Sequence, residues 1–135
     1  MKFPDWLPVF GDTEYRGECP KETAEQITFV SRVRREYPDT HGRLIVHIQN
    51  EGKRTAGQVF YAKASGLTKG ASDIMIPGRR TFVCEIKRSD HTKSSWQYGQ
   101  LDYLQAAHDA GAFVCVALGA DGASAAFAEW LASGA

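Results

Sequence analysis

The stretch SDIMIPGRRTFVCEIK, residues 72–87, decides the fold, because it indicates two short strands joined by a tight turn. The runs DIMI and TFVCEI are short, apolar and β-prone. Between them, Pro77-Gly78 is a strong turn pair. With the centre of the turn at residue 79, the hairpin places Asp73 directly opposite Glu85. Opposed residues of an antiparallel pair have Cβ atoms about 5 Å apart.

The alternation of side chains along a strand adds a third charge to this pair. Glu85 and Lys87 share one face of the second strand, and Cys84 and Ile86 share the other. Opposed carboxylates repel each other. A divalent cation would offset that repulsion, since Mg²⁺ is often held by one or two carboxylates plus substrate phosphates. The alternative is an ordinary solvated Glu-Lys pair, with Asp73 as a strand cap.

Composition limits the class of protein. The chain has 135 residues, of which 43% are hydrophobic, and this suits one domain with a packed core. Its 16 basic and 16 acidic side chains give a net charge of zero, which argues against a strongly basic nucleic-acid-binding protein. However, residues 43–93 hold ten Lys or Arg and only four Asp or Glu. A basic segment around paired carboxylates suits a phosphodiester substrate together with a metal ion.

The cysteines and the N-terminus indicate the compartment. Cys84 and Cys115 lie in apolar, strand-like runs, and the three cysteines form no CxxC pair that would indicate zinc or a disulfide framework. The N-terminal stretch MKFPDWLPVF contains two prolines and an early Asp, unlike a signal peptide. We therefore expect an intracellular, cytoplasmic protein with no membrane segment.

The order of predicted elements indicates an α/β fold. Residues 1–20 are predicted to be an irregular lead-in, and residues 21–135 a single domain. The predicted elements are a helix over 21–37, a strand over 43–49, a helix over 55–65, strands over 73–76 and 81–87, a helix over 94–110, a strand over 112–118 and a short final helix over 122–132. The order α-β-α-β-β-α-β-α, with mostly apolar strands, predicts a mixed central sheet flanked by helices. The passage from strand 81–87 to strand 112–118 predicts a parallel crossover.

Five short motifs occur in order along this framework. They are ETAEQ (22–26), NEGKR (50–54), GLTKGASD (66–73), EIK (85–87) and WQYGQLDYL (96–104). Together they resemble the VRR-NUC branch of the PD-(D/E)XK nuclease superfamily, in its stand-alone phage or bacterial type, over roughly residues 20–130. The resemblance implies a single restriction-endonuclease-like domain. One position departs from the family pattern: Ser72 replaces the Pro before the metal-binding Asp, where it shapes the strand rather than supplying a ligand.

The resemblance implies a divalent-metal phosphodiesterase that acts on DNA. Asp73, Glu85 and the backbone carbonyl of Ile86 would bind Mg²⁺ or Mn²⁺. Lys87 would contact the attacking water or the scissile phosphate. No small-molecule cofactor is expected.

Two helices add candidate site residues. Glu22 matches the family's acid on the first helix, which supports a metal or its water. Alternatively, Glu22 only complements the start of that helix, and Glu25 is the other candidate acid. Gln100 matches the family's glutamine after the EIK strand, with Gln97 as the alternative on the same face.

Other polar residues are candidates for contacts with DNA. The resemblance assigns the substrate-facing loop to Asn50, Lys53 and Arg54. Gln26 shares a helical face with Glu22, and Lys69 lies in the Gly-rich loop near Asp73. In contrast, the four histidines are expected to be structural or solvated. The aromatic residues Trp96, Tyr98 and Tyr103 are expected to pack against the body rather than stack on bases.

The function that follows is a structure-selective endonuclease. Stand-alone domains of this size in the family resemble Holliday-junction resolvases, which cut four-way junctions as symmetric homodimers. The final helix and the N-terminal aromatic residues are candidates for the dimer contact. The alternatives are a flap- or duplex-directed nuclease and a non-catalytic DNA-binding module with the same fold.

Overall fold

A computed structural model describes residues 1–48 and 54–135 of the chain. The strands are β1 Val9–Phe10, β2 Val46–His47, β3 Ile74–Ile76, β4 Phe82–Lys87 and β5 Phe113–Leu118. The α-helices are α1 Glu22–Glu36, α2 His41–Leu44, α3 Ala56–Ala64, α4 Gln100–Asp109 and α5 Gly119–Ala132, and a 3₁₀ turn spans His91–Lys93.

The sheet confirms the predicted hairpin. Its strand order is β1-β5-β4-β3-β2, with β4 at the centre. Strands β3 and β4 are antiparallel, and Ile74 pairs with Cys84, Met75 with Val83 and Ile76 with Phe82. In each of these pairs the two residue numbers add up to 158. The numbers 73 and 85 do so as well, and the same register therefore places Asp73 opposite Glu85. Strands β4 and β5 are parallel, which confirms the predicted crossover through α4.

Both faces of the central strands are covered, as the apolar runs predicted. On one face, α1 and α5 contribute Phe29, Phe127 and Trp130 to a core that includes Cys84 and Cys115. On the other face, Leu104 of α4 and Leu7 of the lead-in cover Val83, Val114 and Val116. All residues of β4 and β5 are buried. A charged side chain on β4 therefore has to find its partners inside the protein.

The predicted element order omitted β1 and α2. Strand β1 lies in the lead-in, which is otherwise irregular, and pairs in parallel with β5. Helix α2 occupies the start of the predicted strand over 43–49. There Gly42 N donates to Tyr37 O and Ile45 N donates to His41 O, so the strand begins only at Val46.

Two helix boundaries also differ from the prediction. The helix predicted from residue 94 begins at Gln100, because residues 94–97 form no regular secondary structure and Gly99, in the turn that follows, has a positive φ of 87°. The final helix is longer than predicted and starts directly after β5, at Gly119. Its aromatic residues Phe127 and Trp130 are 6% and 0% exposed, and Trp6 packs on His108. Phe127 and Trp130 therefore build the core, whereas Trp6 is half-buried, and the dimer contact through the final helix and the N-terminal aromatic residues stays a prediction.

The helices of the described part of the chain include none that is long and apolar enough to cross a membrane.

A buried carboxylate ties the lead-in to the segment after β4. Asp90 is 3% exposed and accepts hydrogen bonds from Thr92 Oγ1 at 2.6 Å and Gly17 N at 3.0 Å. These hydrogen bonds, with a smaller contribution from the positive charge of Arg16, lower the pKa of Asp90 to about 2. The ionised form is thus favoured by folding.

We predict that Asp90→Asn destabilises the protein at neutral pH and that the difference shrinks in acid. Because the folded pKa is lowered, the stabilisation by Asp90 is complete above the unfolded pKa of about 3.9 and is lost as pH falls through about 2. Urea unfolding between about pH 7 and pH 3 measures this. The exposed Asp109→Asn is the control, with a change within about 0.5 kcal/mol. A deficit of Asp90→Asn that does not depend on pH would contradict the prediction.

Candidate active site

Strand β4 carries two charged side chains into the interior. Glu85 and Lys87 are each 1% exposed and lie on the face of the sheet that α4 covers. Lys87 Nζ is 3.8 Å from Glu85 Oε1. Residues i and i+2 of a strand share a face, so the EIK motif predicted that Glu85 and Lys87 lie close together.

Gln100, the first residue of α4, joins these two charges. Its Nε2 donates to Glu85 Oε1 at 2.8 Å, and its Oε1 accepts from Lys87 Nζ at 3.0 Å. The same Oε1 accepts from the backbone N of Gln97 at 2.8 Å, and Lys87 Nζ also donates to Ser95 O at 2.8 Å. Of the two candidate glutamines, Gln100 is therefore the one that contacts Glu85 and Lys87.

Asp73 approaches Glu85 from the neighbouring strand. Its Oδ2 accepts a hydrogen bond from Ile86 N at 3.2 Å. The N–H and C=O of one strand residue point toward the same neighbour in an antiparallel pair, so the carbonyl of Ile86 faces the same side as Asp73. The structure thus brings together the three predicted metal ligands of the hairpin.

The charge on Glu85 is unfavourable in the protein without a metal. Burial raises the pKa of Glu85 well above its usual range, and the negative charge of Asp73 raises it further. The ammonium of Lys87 opposes this only in part, and the charge of Glu22 adds a smaller increase. Glu85 Oε2 is buried without a hydrogen-bond partner among the described residues.

A cleft of about 630 Å³ opens above this hairpin. Its walls include Glu22 and Gln26 of α1, Lys69 of the Gly-rich loop, Asp73, Tyr98 and Gln100. Glu85 and Lys87 lie behind Asp73 and Gln100, since both are almost fully buried. Of the two carboxylates of the hairpin, Asp73 is thus the more exposed.

The structure distinguishes the two candidate acids of α1. Glu22 lines the cleft and accepts a hydrogen bond from Ser94 Oγ at 2.8 Å. Glu25 is 8% exposed and accepts from Ser89 Oγ at 3.0 Å. No group of three or more His, Cys, Asp or Glu side chains with metal-binding geometry occurs within residues 1–48 and 54–135. Of the two candidate acids, Glu22 is therefore the one that faces the cleft, and its role in supporting a metal or its water stays a prediction.

The predicted DNA contacts are only partly placed. Gln26 and Lys69 line the cleft. Arg54 lies at a neighbouring depression that also contains Met75 and Tyr103. Asn50 and Lys53 lie outside the described residues.

The donor set fits a hard divalent cation. Asp73 and Glu85 offer carboxylate oxygens, one of them without a partner among the described residues, and Ile86 offers a carbonyl. Mg²⁺ and Mn²⁺ prefer such oxygen ligands. A cation here would offset both the burial of Glu85 and its repulsion by Asp73.

His47 is a cleft residue that the sequence analysis missed. Its Nδ1 lies 2.9 Å from the carbonyl oxygen of Asp73, and the ring lines the cleft. A carbonyl only accepts hydrogen bonds, so Nδ1 carries the proton and Nε2 of the neutral ring is an acceptor. The pairing of β2 with β3 creates this contact, and the sequence offered no signal for that register.

The prediction for the aromatic residues was wrong for Tyr98. Tyr103 of α4 packs against the sheet, with its hydroxyl 3.7 Å from Met75 Sδ, and Trp96 lies against Phe3 and beneath Lys87 Nζ. Tyr98, in contrast, is 79% exposed at the cleft. The turn that contains it replaced the first part of the predicted helix, and this turn directs the ring into solvent.

Two glycines hold the cleft walls together. Gly70 and Gly99 both have positive φ, 83° and 87°. A Cβ on Gly70 would lie 2.2 Å from the carbonyl carbon of Gly99. The loop before Asp73 and the turn before Gln100 therefore meet backbone to backbone.

Comparison with known proteins agrees with this architecture. A solved structure described as a "VRR_NUC domain protein" superposes with a TM-score of 0.69, at 19% sequence identity, over 89% of this chain and 93% of its own length. No protein-family model and no curated protein matches the sequence. The chain therefore shares the mixed α/β fold of that VRR_NUC domain structure. This confirms the predicted fold.

We predict that Gly70→Ala is far more destabilising than Gly66→Ala. Both sites have positive φ, so each substitution carries backbone strain of about 1–2 kcal/mol. A Cβ at Gly66 has nothing within 4 Å, whereas at Gly70 it would overlap the backbone of Gly99. Thermal unfolding of the two variants measures the difference. Equal loss of stability would show that the close approach of Gly70 to Gly99 does not hold the walls together.

Proposed function

We propose that this protein is a metal-dependent DNA endonuclease that hydrolyses phosphodiester bonds at the hairpin site. The observation that carries the proposal is the opposed pair Asp73 and Glu85, with a buried oxygen of Glu85 that lacks a partner among the described residues. A structural protein gains nothing from such a pair, since a carboxylate buried without full compensation is destabilising.

The chemistry follows from the residue types. A bound Mg²⁺ or Mn²⁺ would act as a Lewis acid on a phosphoryl oxygen and lower the pKa of its water. Asp73 and Glu85 would bind it together with the Ile86 carbonyl. Glu22, which lines the same cleft, would support the metal or its water.

Lys87 provides positive charge next to the carboxylates. Its Nζ is held by Gln100 Oε1 and Ser95 O, so the ammonium is fixed before substrate arrives. Fixed charges stabilise the charge that develops on a phosphate more effectively than mobile ones. Because Gln100 lies between Lys87 and the cleft, direct contact of Lys87 with phosphate requires the Gln100 side chain to turn aside.

DNA is the substrate that the surroundings favour. Lys69 and Gln26 line the cleft, and the hairpin lies within the basic segment of residues 43–93. The structural neighbour, described as a VRR_NUC domain protein, shares the fold over nearly the whole chain. Lysine side chains next to a metal-binding carboxylate pair suit a phosphodiester backbone.

Within this activity we favour branched DNA, and four-way junctions in particular. Two symmetric cuts on a junction require two active sites, which a homodimer with two-fold symmetry provides. This preference rests on the resemblance of small stand-alone VRR-NUC domains to junction resolvases.

We predict that Asp73→Asn, Glu85→Gln and Lys87→Met each reduce cleavage at least about a hundredfold, because each removes a charge from the reacting centre. The measurement is cleavage of a labelled four-way junction, 5′ flap, duplex and single strand with Mg²⁺, Mn²⁺ or EDTA. Paired symmetric cuts on the junction, dependent on metal, are expected.

The controls are Asp102→Asn and Lys63→Met, which make the same chemical changes at exposed positions. Because Lys87 is buried against Glu85, Lys87→Met is also expected to reduce stability, so unfolding midpoints and junction affinity are measured beside activity. Near-normal cleavage by any of the three site variants would contradict the assignment. Metal-dependent cutting of flaps or duplex alone would discard the junction preference. Tight junction binding without cleavage would indicate a binding module.

A further inference from the structure

Tyr98 is an exposed aromatic side chain at the edge of the candidate active site. It is 79% exposed, yet it lines the same cleft as Asp73 and Gln100. Because the Tyr98 ring lies outside the core and beside the site, it is available to a ligand. The proposed cleavage reaction assigns Tyr98 no role.

The ring is open on one side. Lys69 Nζ lies 4.9 Å from the ring centroid and covers one face through a cation–π contact. With so much of the residue exposed, the opposite face is free. One face is therefore held by a cation, and the other can receive a planar group.

The backbone that carries the ring is held in place by a close contact. Lys69 precedes Gly70 and Tyr98 precedes Gly99, and the two glycines meet backbone to backbone. The loop carrying Lys69 and the turn carrying Tyr98 therefore cannot move apart independently. With the backbone held, only the two side-chain torsions of Tyr98 lose freedom when a ligand stacks on the ring.

Planar groups that stack on aromatic rings are abundant in the proposed substrate. Nucleobases stack on aromatic side chains regardless of sequence, because every base has a π-face. In a double helix both faces of each base are already covered by its neighbours. Only an unpaired base, such as one at a branch point or in a single strand, offers a face to Tyr98.

We propose that Tyr98 is a base-stacking platform that binds an unpaired nucleobase beside the scissile phosphate and thereby selects branched or single-stranded DNA over continuous duplex. This inference rests on the proposed function, since it deepens the substrate preference of the same site. Lys69 supports the ring from the opposite face and places its charge near the neighbouring phosphate. Tyr98 is a positioning residue, and the cleavage chemistry remains with Asp73, Glu85 and Lys87.

The test is a thermodynamic cycle in which the aromatic ring of Tyr98 and one base of the DNA are removed separately and together. All chains carry Glu85→Gln to prevent cleavage, and the DNA is a 5′ flap with an abasic residue placed in turn at each unpaired position next to the branch. Affinities are measured by fluorescence anisotropy with Tyr, Phe or Ala at position 98. At one position, removing the base should weaken binding about 5- to 150-fold with Tyr98 or Tyr98→Phe, and should have no effect with Tyr98→Ala.

The matched control is Tyr61→Ala. Tyr61 lies on α3, is 74% exposed and contacts Phe60, away from the cleft, so this variant should retain the full effect of base removal. Unfolding midpoints of all variants should agree, because both tyrosines are exposed.

The outcomes distinguish failure of the stacking platform from failure of the proposed nuclease function. Suppose that the flap is bound, but that base removal weakens binding equally with Tyr98 and with Tyr98→Ala, or weakens it at no position with either. The stacking platform is then disproved, and the nuclease proposal stands. If the chain without substitutions neither binds nor cleaves any of the DNA forms, the proposed function fails and the platform fails with it.

Discussion

The buried charges of β4 are the constraint on which the rest of the site depends. Glu85 and Lys87 point into the interior from the central strand of the sheet, where water does not reach them. Their partners must therefore come from the protein: Gln100 bonds to both, and Ser95 O accepts from the lysine. Gln100 is the first residue of α4, so the start of this helix supplies the partner that both charges share. One oxygen of Glu85 still has no partner within the described residues, and that imbalance is what we interpret as a metal position.

The second constraint is the backbone contact between Gly70 and Gly99. It joins the loop that ends in Asp73 to the turn that ends in Gln100, so one contact sets the distance between the two walls of the cleft. The same contact brings Lys69 against Tyr98. Lys69 and Tyr98 each precede one of these glycines. The two backbones can meet there because glycine has no side chain.

The sequence predicted the hairpin and its register well, because Pro77-Gly78 and the alternation of apolar residues leave few other pairings. It also predicted the parallel crossover and both buried faces. It failed where the structure depends on contacts distant in sequence. Strand β1 forms only because β5 offers a free edge, and α4 starts late because Gly99 has to meet Gly70. The exposure of Tyr98 and the contact of His47 with Asp73 depend on the same tertiary pairings, so no local pattern could have indicated them.

The central claim is that Asp73 and Glu85 form a cation site whose charge is unfavourable until a metal is bound. The most direct test is thermal unfolding of the unsubstituted chain and of Glu85→Gln, each with and without Mn²⁺. Without metal, Glu85→Gln should unfold at the same or a higher temperature, because burial and repulsion by Asp73 outweigh the attraction of Lys87. Mn²⁺ should then raise the midpoint of the unsubstituted chain by several degrees and that of Glu85→Gln by much less, as expected for a ligand that binds only the folded state. A lower midpoint for Glu85→Gln without metal, together with no effect of Mn²⁺ on either chain, would contradict the account.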